Sequence, residues 1–209
     1  MVRTSNLKFE YDKKSEQFRF PDISLDASQN LLILGKSGIG KTTLLHLLAG
    51  LLPPMDGSIE IDGVPIHTLS NKQLDRFRGQ NIGIVFQNNH AIQSLTVMEN
   101  LEARLFFAQK TISQTVIKDL LEHLDISDCK NKKIRELSEG QLQRVGIAMA
   151  MVHHPQIILA DEPTSSLDDD NCTKVMQLLI EQAEMNSANL IVITHDQRIK
   201  PLFNKTLAL

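Results

Sequence analysis

Leu31-Leu32-Ile33-Leu34-Gly35-Lys36-Ser37-Gly38-Ile39-Gly40-Lys41-Thr42 sets the architecture of this 209-residue chain. Consecutive apolar residues ending at a glycine read as a short strand buried on both faces. Gly35 to Thr42 then fills every fixed position of the G-x-x-x-x-G-K-[ST] loop, with a strand before it and a helix after it. Its glycines let backbone N–H groups turn inward around phosphate oxygens without Cβ clashes. The helix that follows carries Leu44, Leu45, Leu47 and Leu48 on one period and closes at Gly50. Its N-terminus adds partial positive charge to the loop. Lys41 supplies a point charge for the β- and γ-phosphates of a nucleotide, and Thr42 supplies a hydroxyl for Mg²⁺.

Working outward, Ile82 to Phe86, Ile157 to Ala160 and Leu190 to Ile193 are further short buried strands, and Thr206 to Leu209 is a candidate edge strand. Leu7 to Leu25 alternates like short antiparallel strands, and Ser58 to Gly63 reads as a strand and turn. From about Asn88 to Pro155 the pattern is helical, with His153-His154-Pro155 as a helix end. The expectation is an α/β core interrupted by a helical insertion.

Asp161 leaves the strand Ile157 to Ala160, where a carboxylate can hold Mg²⁺ through water. Glu162 is its neighbour; in extended backbone it would point to the opposite side, where it can orient an attacking water. Pro163 ends the strand. Upstream, Leu137-Ser138-Glu139-Gly140-Gln141 opens a helix whose Leu142, Val145, Met149 and Val152 share one face. Ser138 and Gln141 form an S-x-x-Q capping box, which any helix could use. The same geometry presents Ser138 and the free N–H groups near Gly140 to an anion. One chain would then carry two phosphate grips, each half of a site that a second copy completes.

Composition narrows the rest. The net charge is −3 and no long basic block occurs, so nothing favours a nucleic-acid partner. Cys129 and Cys172 lie far apart and read as reduced cytosolic thiols. No apolar run approaches the length of a membrane span, so a membrane role is expected to come through a partner.

These motifs, in this order, resemble the nucleotide-binding domains of ATP-binding cassette (ABC) transporters along essentially the whole chain. That resemblance implies a P-loop NTPase (RecA-like) α/β core with an N-terminal antiparallel β subdomain and an inserted α-helical subdomain. The core would span residues 1–87 and 156–209, and the helical unit residues 88–155. Gly35, Lys36, Ser37, Gly38, Ile39, Gly40, Lys41 and Thr42 match the Walker A loop, followed by Thr43. Gln87 matches the Q-loop glutamine, expected at Mg²⁺ or water. Leu137 to Gln141 match the signature, so Ser138, Gly140 and Gln141 would meet nucleotide. Asp161 and Glu162 match the Walker B aspartate and the catalytic glutamate. Ser166-Leu167-Asp168 match the D-loop, and His195 matches the switch histidine that contacts the γ-phosphate and holds Glu162. Tyr11 falls where the family places an aromatic over adenine. Lys41, Glu162 and His195 are thus the expected catalytic set, Thr42, Gln87 and Asp161 the expected Mg²⁺ set, and ATP with Mg²⁺ the expected ligands.

Leu159-Ala160-Asp161-Glu162-Pro163-Thr164 is similar to the lipoprotein-releasing, macrolide-exporting and cell-division (FtsE-like) branch. There the implied function is an ATPase subunit that dimerises around two ATP on the inner face of the cell membrane and drives a separate permease. The alternative is an FtsE-like ATPase that signals to cell-wall enzymes without transport. Ala91-Ile92-Gln93-Ser94 departs from the Leu-Leu-Pro run usual in that branch, and Glu139 replaces a glycine in the signature. A carboxylate there suits the helix dipole but would repel phosphate, so its side chain is expected to point away from nucleotide.

Overall fold

The structure is a computed structural model that describes residues 1–12, 17–165 and 167–209. The first part holds β1 (Val2–Phe9), β2 (Phe18–Arg19), β3 (Ser24–Leu25), β4 (Asn30–Leu34), α1 (Lys41–Leu48), β5 (Asp56–Ile61) and β6 (Val64–Pro65). Next come α2 (Asn71–Asn81), β7 (Ile82–Val85), α3 (Val97–Ala108), α4 (Gln114–His123) and α5 (Glu139–Met151). The chain continues through β8 (Ile157–Asp161), α6 (Asp169–Met185), β9 (Asn189–Thr194) and β10 (Thr206–Ala208).

The central sheet has the order β10–β4–β9–β8–β7, and every pairing in it is parallel. The middles of β4, β8 and β9 are unbroken apolar runs because both faces are covered. Leu31, Ile33, Ile157, Leu159, Ile191 and Ile193 pack with Leu44, Leu45, Leu47 and Leu48 of α1 and with the antiparallel strands. Leu32, Leu34, Ile158, Ala160, Leu190 and Val192 pack on the other side against residues of α3 to α6. The alternation has a consequence for chemistry: Asp161 has the parity of Ile157 and Leu159, so its carboxylate emerges on the α1 side.

The smaller sheet runs β2–β1–β5–β6 with β3 also on β1, all antiparallel. Its first strand starts at Val2, earlier than the Leu7 that alternation suggested. The reason is Thr4, a buried polar residue whose Oγ1 accepts from the Ile23 N–H at 2.8 Å. Asn6 at φ 52 and a register shift between Ser5 and Lys8 further break the period.

Helix α2 fully buries no residue and is fixed at its start by Ser70 and Gln73; only Leu74 and Phe77 pack against the core, too few for a clear periodic signal. Between β7 and β8, α5 is capped by Ser138 with Gln141 as its sequence predicts, and α3 is capped in the same way by Thr96 with Glu99. Arg104 of α3 donates to the carbonyls of Gly79 and Ile82 and to His153 Nε2, at 3.1, 3.0 and 2.9 Å. His153 is fully buried there, and burial, reinforced by Arg104 and Lys110, presses its pKa to about 3. The ring is neutral, and it pins α3 to the edge strand. Gly50, at φ 64, follows the end of α1 as expected, and both cysteines are free and buried.

Candidate active site

Four parallel strands deliver the candidate groups at their carboxyl ends, where open α/β sheets bind ligands. After β4 comes the Gly35–Thr42 loop; after β7, Gln87; at the end of β8, Asp161 and Glu162; after β9, His195. In the loop, Gly38 and Gly40 sit at φ 83 and 101, a region L side chains avoid. A Cβ on Gly40 would also stand 2.7 Å from the Phe18 ring.

Lys41 is buried, and its Nζ donates to the carbonyls of Gly35 and Lys36 at 2.8 and 3.0 Å. Its remaining direction is toward Glu162, with Oε1 3.4 Å away. Thr42 Oγ1 donates to Asp161 Oδ2 at 3.0 Å, as the strand parity requires. Asp161 Oδ1 is buried without a hydrogen-bond partner. Burial pushes the Asp161 carboxyl above the ordinary aspartate range, the Thr42 hydrogen bond pulls it back, and the Glu162 charge raises it further. A buried carboxylate with one idle oxygen beside a hydroxyl is a hard-oxygen set suited to a divalent cation that keeps its own waters.

Glu162 corrects one expectation. Its backbone is not extended but left-handed, with φ 48. A residue before proline is biased to extended backbone, so the neighbours override the local rule. The carboxylate has its own partners, distinct from those of Asp161. Its Oε2 accepts from Thr194 Oγ1 at 2.6 Å and from the His195 N–H at 3.3 Å, while Oε1 meets His195 Nδ1 at 3.0 Å. Burial alone would raise its pKa, yet the hydrogen bonds from His195 and Thr194 prevail and hold it below the ordinary glutamate range. Thr194 is a contributor that the sequence did not announce, because a threonine at a strand end carries no motif. An arrangement of one carboxylate suited to a cation, one oriented carboxylate and one buried ammonium can clamp a phosphate chain and position a water beside it.

The remaining candidates sit around this centre. Tyr11 is exposed, stands edge-on to Phe9 with centroids 4.9 Å apart, and meets Thr43 Oγ1 through its hydroxyl at 2.9 Å. Gln87 Nε2 donates to Ser165 Oγ at 3.3 Å. It lines a cavity of about 610 Å³ together with Arg104, Glu139 and Glu162. Ser138 and Gly140 are exposed at the start of α5, and no described hydrogen bond or ion pair joins Leu137–Gln141 to the Lys41–Glu162 cluster. Ser166 of the expected D-loop lies outside the described residues.

One outcome follows from Asp161. Replacement by asparagine removes a buried charge that the protein alone does not compensate and gives the idle position a donor. The variant should melt no lower than the parent without nucleotide, while losing the upward shift that Mg²⁺ with ATP confers. Thermal melting with and without Mg²⁺–ATP checks both; a large drop in the nucleotide-free melting point would contradict this account of the carboxylate.

Comparisons with known proteins identify the family. Residues 20–165 match the family model described as ABC transporter. The lipoprotein-releasing system ATP-binding protein LolD of Legionella pneumophila (strain Lens) is 36% identical over 190 residues, covering 90% of this chain and 84% of that protein. LolD of Bacteroides thetaiotaomicron is 33% identical over 189 residues, 89% of this chain and 86% of its own length. Among solved structures, the dimeric bacterial ABC transporter cassette MJ0796 matches with a TM-score of 0.88 at 31% identity, over 100% of this chain and 94% of that one. A post-hydrolysis dimer of the same cassette with ADP and Pi matches with a TM-score of 0.88 at 32% identity, over the same shares. This chain belongs to the ABC transporter family and is one of its ATP-binding ATPase cassettes.

Proposed function

We propose that two copies of this chain close around two ATP molecules and so drive a separate membrane permease of the lipoprotein-releasing or export type. The observation that carries the reading is the separation of two phosphate grips within one chain. Lys41, Thr42, Asp161, Glu162 and His195 are gathered at one sheet end, whereas Ser138, Gly140 and Gln141 open a different helix. Each site is complete when one copy's Gly35–Thr42 loop faces the other copy's α5 start.

In this reading Gly35 to Thr43 wrap the phosphates, and Tyr11 packs on the base. Thr42, Asp161 and Gln87 hold Mg²⁺, which neutralises charge on the phosphate oxygens. Glu162 orients the attacking water, and His195 keeps Glu162 in place. ATP favours the closed dimer only through its higher affinity for that state.

The permease would dock on the segment 88–110 and the adjoining cavity. Support comes from α3, where Phe107, which lines that cavity, and its neighbour Phe106 are 72% and 77% exposed; exposed neighbouring aromatics mark a contact surface. No described helix is long and apolar enough to cross a membrane, so the chain would sit peripherally on the cytoplasmic face through its partner.

Size-exclusion chromatography with Mg²⁺ and a non-hydrolysable ATP analogue tests the reading. The expected result is a doubling of mass with the analogue and a monomer without it. A monomer at saturating analogue would overturn the proposal.

A further inference from the structure

We infer that Gln143 is a positioning residue that ties the α5 helix to the backbone of the catalytic turn and so holds Glu162 in its working conformation. The inference rests on the reading of Glu162 as the residue that orients water.

Glu162 adopts φ 48 immediately before Pro163. A left-handed non-glycine residue costs about 1–2 kcal/mol, so contacts around the turn must hold it. Most of those contacts come from the end of β9 and the residues just after it. The Glu162 N–H donates to the Ile193 carbonyl at 2.8 Å, and the carboxylate is held by Thr194 and His195. Thr164 Oγ1 donates to Asp196 Oδ2 at 2.9 Å, and Arg198 Nε fixes the other oxygen of Asp196 at 2.9 Å. These groups belong to the same sheet end and move with it.

Pro163 is different. It has no N–H, so its carbonyl is its one polar backbone group. Among the described residues the donor that meets this carbonyl is Gln143 Nε2. Gln143 stands on α5, one turn beyond the Ser138–Gln141 cap.

The same stretch of α5 grips its other neighbours residue by residue. The Leu142 carbonyl accepts from Asn89 Nδ2 at 2.6 Å, two residues after Gln87. Arg144 Nη1 donates to the Leu124 carbonyl at 3.2 Å and to Asp125 Oδ2 at 2.9 Å. Gly146 leaves room for Asn89, whose Nδ2 would stand 3.0 Å from a Cβ there. So α5 joins the helical region, the Gln87 loop and the Glu162–Pro163 turn, and Gln143 is its link to the turn. A shift of α5 when its N-terminus meets nucleotide on the other copy would be felt at Glu162 through this bond.

The test uses the full chain, with Gln143→Glu and Gln143→Lys beside Glu162→Gln. Gln143→Glu keeps the length but loses the donor at neutral pH; Gln143→Lys keeps a donor. Gln143→Glu is expected to lower kcat ten- to a hundredfold, the scale of a modest misplacement of a catalytic group, with KM for ATP within about twofold. Its melting point should stay within a few degrees of the parent, and Gln143→Lys should recover most of kcat. A normal kcat in Gln143→Glu, with Glu162→Gln slow, overturns this inference and leaves the reading of Glu162 standing. A fast Glu162→Gln overturns both. Equal losses in Gln143→Glu and Gln143→Lys, accompanied by lowered melting points, would show a packing role and also overturn it.

Discussion

Replacing Lys41 by alanine should weaken ATP binding by about a hundredfold, the equivalent of roughly 3 kcal/mol for a lost charge-assisted contact in a desolvated loop. The expectation comes from where the ammonium sits. Two of its hydrogens go to the Gly35 and Lys36 carbonyls, which fix its direction, and Glu162 Oε1 lies 3.4 Å away on the remaining side. An ammonium has three donors and no acceptor, so one donor is free to exchange a carboxylate for a phosphate. Alanine removes the charge and leaves the two carbonyls facing an empty volume. Calorimetric titration with ATP measures the change; affinity within a few-fold of the parent would show that the loop does not hold the nucleotide through Lys41.

Replacing Glu162 by glutamine should slow hydrolysis by at least a hundredfold while ATP affinity stays within a few-fold, the usual weight of a positioned acid–base group. The substitution keeps shape and removes the charge that polarises water. The pH behaviour follows from the same contacts. The Glu162 carboxyl is held below its ordinary range because the hydrogen bonds from His195 and Thr194 outweigh the opposing effect of burial. A depressed folded-state pKa means the stabilising contribution is present above the unfolded value and is lost as pH falls through the folded one. Glu162 therefore stays ionised through the neutral and mildly acidic range. Steady-state hydrolysis across pH, set beside ATP titration of the variant, checks both statements; an unchanged turnover in Glu162→Gln would remove Glu162 from its role.

What the sequence disclosed divides along physical lines. The central sheet was legible because burial on both faces writes itself as unbroken apolar runs, as in Leu31–Leu34 and Leu190–Ile193. The phosphate loop was legible because φ 83 and 101 at Gly38 and Gly40 demand glycine. The cap at Ser138 was legible because capping chemistry is local. Helix α2 was hidden because only Leu74 and Phe77 touch the core and neither is fully buried, and the start of β1 because its second inward residue, Thr4, is polar and satisfied by a bond to a residue distant in sequence. The turn at Glu162 departs from the extended backbone that continuing β8 suggests, because strand alternation is a local pattern while the hydrogen bonds of Thr194, His195 and Gln143 come from other elements. Of these contacts only that of His195 belongs to a motif; Thr194 and Gln143 belong to none. Glu139 lines the cavity beside Gln87, a placement that its first-turn position on α5 allows and its sequence alone does not specify.

If each site is built from two chains, mixing two defective variants should restore ATP hydrolysis. One is Lys41→Ala, with a broken loop. The other is Ser138→Asp, which preserves a good helix cap but turns a carboxylate toward the phosphate. Each variant alone has both of its shared sites damaged and should be nearly inactive. A mixed dimer contains one site with an intact loop, an intact Glu162 and an intact α5 start, so activity in the mixture should rise clearly above the sum of the two. A mixture no more active than that sum, or a Ser138→Asp protein as active as the parent, would contradict the account.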